Sequence, residues 1–303
     1  MRGRNAWVAG VLGLAVLVAA GAAWWVWRQK RDQGVLFNRL PAENVLLLHV
    51  DIERLRHASA LAPVLRARVD PDPDYAAFVK QTGFDYQRDL DRAVVCYLPD
   101  RVYVLAQGRF DAERLRQYAL AQGGNCAGNR LPCRMAASRA DRRISFSLLT
   151  PNVLGLATAP EPDAVRQLEQ TPAPNAEPLA LAAGDPAALL WATATPEALD
   201  RGLEGQAGGL PHNLSKALEG AQRVYLYVND RSPNLEVSLK AVCHSESQAA
   251  EMRRLVQGMN DFIGGLARRT PWGKVLASAV IRQEQSAIRA TWTLDPAVLE
   301  SRP

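Results

Sequence analysis

The sequence has 303 residues, enough for one large domain or two of ordinary size. Hydrophobic residues make up 48% and charged residues 22%, and this composition excludes disorder, collagen and a multi-span membrane bundle for most of the chain. The net charge of +5 reflects one short region, because 31 basic and 30 acidic residues remain outside it. The near-neutral remainder argues against a nucleic-acid partner. The residues set aside are Arg2, Arg4, Arg28, Lys30, Arg31 and Asp32.

The first segment predicts a transmembrane anchor over residues 1–28 with a short cytoplasmic amino terminus. Ala6 to Trp27 is a run of 22 residues without a charge, and as a helix it would span about 33 Å, enough for the bilayer core. We therefore expect residues 6–27 to contact lipid. Tryptophans stand at both ends, as in the aromatic belts at membrane interfaces. These interface anchors are Trp7, Trp24, Trp25 and Trp27.

A cleaved signal peptide is the competing interpretation, because Ala19–Ala23 resembles a small-residue cleavage site. The bulky WWVWRQKR that follows favours an uncleaved anchor. Basic residues flank the run almost equally on its two sides, so charge alone leaves the direction of insertion open. A short leading segment with a long trailing domain favours an extracytoplasmic domain on a bacterial inner membrane.

The rest of the chain predicts a stalk (29–40), an α+β unit (41–170), a Pro-rich linker (171–185) and a second α+β unit (186–303). Both units follow one order of elements, strand–helix–hairpin–helix–hairpin–short helix, which indicates an internal repeat. The predicted fold class is α+β: two tandem βαββαββα-like units with largely antiparallel sheets and helices on one face. Whether the two units share one sheet stays open at this point.

The elements of the first unit follow from apolar runs, alternation and turn residues. In chain order they are an apolar strand Val45–Val50, a helix with Asp51 as N-cap, strands Arg92–Leu98 and Val102–Gln107, a helix Asp111–Gln122, strands Ile144–Leu149 and Val153–Thr158, and a short helix Asp163–Gln170.

The second unit repeats this order after the linker. Its elements are an apolar strand Ala187–Thr193, a helix opened by Thr195-Pro196, strands Arg223–Val228 and Leu235–Val242, an amphipathic helix Ser247–Leu266, strands Val275–Arg282 and Ala287–Leu294, and a short helix opened by Asp295-Pro296.

Cys126 and Cys133 lie close together in a Gly/Asn/Pro-rich loop, GGNCAGNRLPC. In an oxidising compartment this pair predicts a local disulfide, and in a reducing one it would be two free thiols. The loop lacks the ligands for a zinc site.

No motif predicts a catalytic, cofactor or metal site, and we expect none of the three. His49 lies inside the first apolar strand and is interpreted as a core residue. The segment GFDYQRDLDR brings Asp85 close to Asp89, a pair that could do acid–base chemistry or serve capping and ion pairing. Tyr225 and Tyr227 could form an aromatic ligand face, although packing under cover is the usual role of such residues.

Two segments carry a resemblance to known sequences. RLPAENVLLLHVDIERL and TGFDYQRDLDRAVV resemble segments of uncharacterised bacterial extracytoplasmic proteins with one N-terminal anchor. In those proteins an LPA segment leads into an apolar strand, and a Gly-x-Asp segment precedes another. The resemblance implies an extracytoplasmic location and brings no known activity.

Three functions are consistent with these features. The first is a membrane-anchored, non-enzymatic extracytoplasmic protein that binds an unknown protein or envelope component. The second is an assembly subunit of a secretion or pilus-type inner-membrane platform. The third is an envelope enzyme that uses the carboxylates of GFDYQRDLDR.

Overall fold

The structure of the protein is a computed structural model, and it describes residues 36–37, 39–41, 45–62, 73–127, 132–137, 139–170, 187–200, 218–267 and 270–300. The predicted anchor with its four tryptophans and the linker 171–185 lie outside these residues. Within the described part of the chain, no helix combines the length and the apolar character needed to cross a bilayer.

The fold is α+β, as predicted, and the described residues form a sheet of 12 strands. Every pair of neighbouring strands in this sheet is antiparallel. The strands are β1 Leu46–Asp51, β2 Leu90–Tyr97, β3 Val102–Gly108, β4 Asn125–Cys126, β5 Cys133–Ala136, β6 Arg143–Thr150, β7 Val153–Ala159, β8 Leu190–Ala194, β9 Ala221–Arg231, β10 Asn234–Cys243, β11 Val280–Glu284 and β12 Ala287–Leu294.

Helices connect the strands. They are α1 Ile52–His57, α2 Pro73–Thr82, α3 Tyr86–Asp89, α4 Ala112–Ala121, α5 Arg166–Glu169, α6 Glu246–Ala267, α7 Pro271–Ala277 and α8 Ala297–Glu300, with a 3₁₀ turn at Ser59–Leu61. Several begin at the caps that their sequences supply. The side chain of Asp51 accepts a hydrogen bond from the backbone N–H of Arg54, as its predicted capping role requires, and Asp111 accepts from Glu113 and Arg114.

The sheet repeats one strand order on either side of its centre. Strand β1 pairs with β8 in antiparallel register, with Leu48 opposite Ala192. From β1 outward the order is β2, β3, β7, β6, and from β8 outward it is β9, β10, β12, β11. In both directions the first two strands follow each other in chain order. In the hairpin beyond them, the second strand of the hairpin lies nearer the centre of the sheet than the first. The described strands of both predicted units therefore belong to one continuous sheet.

The structure corrects several local predictions. Residues 275–282 were expected to form one strand, but Thr270 caps helix α7 through its hydroxyl and Pro271 begins it, so β11 starts only at Val280. Helices α2 and α3 and strands β4 and β5 add to the predicted elements. The described part of the predicted stalk belongs to the folded domain, since Leu36 and Leu40 are buried in its core.

The two faces of the sheet are covered differently. One face, here called the closed face, buries alternate residues such as Leu47 and Trp191 under Leu36, Phe37 and helix α5. The opposite face, here called the helical face, carries α4 and α6 over its two flanks. The prediction that the helices lie on one face is wrong for α5. Leu168 of α5 belongs to the core cluster of the closed face. The backbone N–H of Val165, which lies just before α5, donates a hydrogen bond to the side chain of Ser145 on the same face.

His49 lies in the centre of the closed face, as its interpretation as a core residue requires. Its side chain stacks on Trp191, with ring centroids 5.2 Å apart and 18° between planes, and Phe37 lies 5.8 Å away. Neither ring nitrogen has a hydrogen-bond partner among the described residues. Burial therefore lowers the pKa of His49 to about 4.

We predict that His49→Phe stabilises the protein at low pH. In the unfolded chain His49 takes up a proton near the ordinary histidine pKa of 6.5, whereas in the folded chain burial lowers its pKa to about 4 and keeps it neutral above that pH. Wild-type stability is therefore lost as the pH falls through this window, by about 3 kcal/mol. The variant should lose less, and it also removes two unsatisfied polar atoms, worth about 1 kcal/mol at neutral pH.

Denaturant unfolding from pH 7 to pH 4 measures the difference. The exposed His244 provides the control, since His244→Phe removes a histidine without touching the core. An equal loss of stability on acidification in wild type and His49→Phe would contradict the prediction.

Candidate functional site

The centre of the helical face carries a continuous patch of apolar side chains that are only half-buried. On β1 the alternation is complete: Leu47 and His49 are buried on the closed face, whereas Leu46, Leu48 and Val50 are half-buried on the helical face. The same difference continues onto the neighbouring strands. We call this patch the apolar strip; its residues are Leu46, Leu48, Val50, Ala93, Val95, Val102, Val104, Leu190, Ala192 and Leu226.

The strand register places these residues side by side. Leu48 lies opposite Val95 on one side and Ala192 on the other, Val95 lies opposite Val104, and Ala192 lies opposite Leu226. The strip therefore crosses five adjacent strands, about 19 Å at ordinary strand spacing. Because β1 and β8 come from different predicted units, both units contribute to it.

Helices bury the sheet on both sides of the strip. On one flank Ala106, Leu154 and Phe146 are buried against Leu115 and Ala119 of α4. On the other flank the buried residues Val224, Ala241 and Ile288 pack with Ala249 and Met252 of α6. The strip is thus the floor between two helix-covered regions. Although its sequence is a continuous apolar run, β1 is fully buried on only one face.

The chemistry that the strip offers is purely apolar. None of its ten side chains carries a polar atom. Its five strands each have a paired neighbour on both sides, so their backbone groups are engaged within the sheet. A partner therefore cannot add a strand here, and recognition depends on apolar contact.

Cys126 and Cys133 form a disulfide. The Gly/Asn/Pro-rich composition of this segment predicts a loop. In the structure the two cysteines instead lie opposite each other on the paired strands β4 and β5. The bond joins β4 to β5 at the end of the sheet, and Cys133 is buried beside Phe146 and beside Ala119 of α4. The other two cysteines, Cys96 and Cys243, are free and buried.

Asp85 and Asp89 lie next to each other, but both carboxylates serve the fold. Asp89 is buried and accepts hydrogen bonds from Arg88 at 2.6 Å, from Arg109 at 3.2 Å and from the backbone N–H of Asp85 at 3.0 Å. The hydrogen bond from Arg88 is the main reason why the pKa of Asp89 lies well below its usual range. Asp85 caps α3 through Gln87 and accepts from the Tyr75 hydroxyl at 2.9 Å.

This geometry is unsuited to general acid catalysis, which requires a carboxyl group with a raised pKa. Tyr225 and Tyr227 are stacked at 6.2 Å but are buried on the closed face, where they pack with the core. Across the described ranges, no cluster of three or more His, Cys, Asp or Glu side chains could hold a metal ion.

Comparison with known proteins adds information on the fold alone. No family model matches the chain, and no curated protein is similar to it. Among solved structures, crystal form I of TP0453 superposes with a TM-score of 0.50 at 8% identity, covering 87% of this chain and 94% of that chain. Crystal form III of TP0453 gives 0.49 at 9% identity, covering 88% and 94%. The first of these similarities supports the α+β architecture.

We predict that Asp89→Asn lowers the free energy of unfolding by about 2 kcal/mol, because it weakens charge-assisted hydrogen bonds from two arginines. Since the pKa of Asp89 is lowered by folding, this stabilisation is present above the unfolded value of 3.8 and is lost as the pH falls below it.

Asp91→Asn is the matched control on the same stretch of chain. The Asp91 side chain is more exposed and pairs with Arg56 at 4.0 Å, so its loss should cost less than about 0.5 kcal/mol. Chemical denaturation at pH 7 compares the free energies of unfolding of the two variants. Equal losses would contradict the prediction that the hydrogen bonds of Asp89 stabilise the fold.

Proposed function

We propose that this protein is a non-enzymatic binding protein, tethered to a bacterial inner membrane by residues 6–27, whose extracytoplasmic part binds a partner on the apolar strip. The strip is the observation that carries the proposal. Soluble domains rarely leave a contiguous apolar surface of this extent partly open unless it contacts something. Behind the strip the closed face is buried, as at Leu47, Val94, Leu105, Trp191 and Tyr225, so the opening is specific to one side.

The tether and the compartment rest on separate features. The uncharged run with its terminal tryptophans supports a membrane anchor. The Cys126–Cys133 disulfide supports an oxidising compartment, because such bonds persist outside the cytosol. Both features agree with the location that the resemblance to anchored extracytoplasmic proteins implies.

We further propose that the fold arose from two tandem βαββαββα-like units. The repeated strand order about the β1–β8 pair supports this origin. The strip lies across the junction, so a binding surface at this place would require both units. An enzyme based on Asp85 and Asp89 is not supported, since hydrogen bonds within the fold engage both carboxylates.

We predict that a photo-crosslinking residue in place of Leu48, at the centre of the strip, captures a discrete partner in native membranes. The same residue in place of Leu120 is the control, because Leu120 is 43% exposed on α4 and lies outside the strip. Adding Val95→Lys, which places a charge opposite position 48, should abolish the adduct because burying the charge is costly.

Thermal unfolding verifies that each variant is folded. The proposed binding surface is wrong if position 48 gives no adduct, if positions 48 and 120 give the same adducts, or if Val95→Lys leaves the adduct unchanged.

We predict that the full-length protein stays in the membrane pellet after an alkaline carbonate wash and that deletion of residues 6–27 releases it. In intact cells Cys126 and Cys133 should resist alkylation before reduction, because the disulfide has formed in an oxidising compartment. Release of the intact chain, or rapid alkylation of both cysteines before reduction, would refute the tether or the compartment respectively.

A further inference from the structure

A second surface feature lies in the first unit, on elements other than those of the strip. Three arginines from three elements line one cleft of about 270 Å³: Arg88 from α3, Arg109 after β3, and Arg114 from α4. Their side chains are 65%, 66% and 57% exposed. We call this site the arginine cleft; its other lining residues are Thr82, Gly83, Phe84, Asp89, Phe110 and Asp111.

The cleft carries an excess of positive charge. Its three guanidinium groups face two carboxylates, because Asp89 pairs with Arg88 and Arg109, and Asp111 pairs with Arg114 at 3.5 Å. The lining residues therefore carry one positive charge in excess, while Asp85 lies beside the cleft, outside its lining, and interacts electrostatically with Arg88. This is a local property, since the chain beyond the predicted anchor is nearly neutral.

The fold holds the arginines in place. Asp89 receives hydrogen bonds from Arg88 and Arg109, and its backbone C=O accepts from the N–H of Arg109 at 2.8 Å, so the two guanidinium groups are fixed side by side. Arg88 also donates to the backbone C=O of Gly83 at 3.0 Å. Such preorganisation reduces the entropy that a ligand must overcome.

Gly83 leaves room for the guanidinium of Arg114. Its φ of +72° favours glycine, and a Cβ at this position would come within 2.5 Å of the Nη1 atom of Arg114. The absence of a side chain thus lets this guanidinium approach the backbone beside Arg88. Phe84 and Phe110 stack at 5.0 Å in the same cleft and form an apolar wall.

We propose that the arginine cleft binds a phosphate group, presented either by free phosphate or by an anionic lipid headgroup. Guanidinium forks match the oxygens of phosphate in geometry and charge. The cleft offers no activated nucleophile, since the hydroxyl of Thr82 donates to the backbone C=O of Phe78 at 2.8 Å. The site therefore binds its ligand without chemistry. It does not depend on the apolar strip and stands if the proposed function fails.

Equilibrium dialysis of radiolabelled inorganic phosphate tests the proposal. The full-length protein is reconstituted in phosphatidylcholine nanodiscs, and ionic strength is held constant with chloride. We expect saturable binding, weakened at least tenfold by Arg114→Gln and less by Arg114→Lys, which keeps the charge but loses the fork. These substitutions leave the Asp89 cluster intact.

Arg116→Gln is the matched control. Arg116 lies two residues further on α4 and, like Arg114, pairs with a carboxylate three residues before it, but it does not line the cleft. Its substitution should change phosphate affinity less than twofold. The proposal is overturned if wild type shows no saturable binding, or if Arg116→Gln weakens binding as much as Arg114→Gln does.

A second arm distinguishes the two sources of phosphate. Nanodiscs that contain phosphatidylglycerol should compete with labelled phosphate in wild type if a lipid headgroup reaches the cleft, and unchanged binding assigns the site to free phosphate. Both outcomes support a phosphate site. Thermal unfolding of each variant verifies that a loss of binding is not a loss of fold.

Discussion

The antiparallel pairing of β1 with β8 is the contact on which the architecture depends. It joins strands from the two predicted units through backbone hydrogen bonds, and it turns what would be two exposed sheet edges into the middle of one sheet. An unpaired edge strand as apolar as β1 would be an aggregation hazard. The pairing removes that hazard and creates a broad sheet centre with two faces that need cover.

The two faces of the sheet are buried to different extents at its centre. On the closed face the bulky side chains of Trp191, Tyr103 and Tyr227 fill the space together with Leu36 and α5. On the helical face α4 packs on β3, β6 and β7, and α6 packs on β9, β10 and β12. The widened sheet therefore keeps a half-buried apolar centre, whose incomplete burial forgoes roughly 25 cal/mol per Å² of surface left in water.

The sequence predicted the elements that local physics determines. The apolar run at Val45–Val50, the strand pattern at Leu235–Val242 and the cap at Asp51 each predict an element whose boundaries in the structure differ by a few residues. The prediction failed where several signals compete. Val275 and Leu276 predict the start of a strand, but they lie in helix α7, which begins at the Thr270 cap and Pro271. Predicting the half-open strip requires knowing which strands pair across the units, and no single stretch of sequence contains that information.

The segment GFDYQRDLDR shows why residue type alone does not determine chemistry. Its carboxylates suggest acid–base work in the sequence, whereas in the structure Asp89 is buried and its negative charge is compensated by two arginines. A carboxylate that is buried away from water must be paired with a positive charge. The long arginine side chains that pair with Asp89 keep most of their own surface in solvent. What the Asp89 ion-pair cluster presents to solvent is therefore guanidinium. The same aspartate that looks like a candidate catalyst is the residue that holds two arginines side by side at the surface.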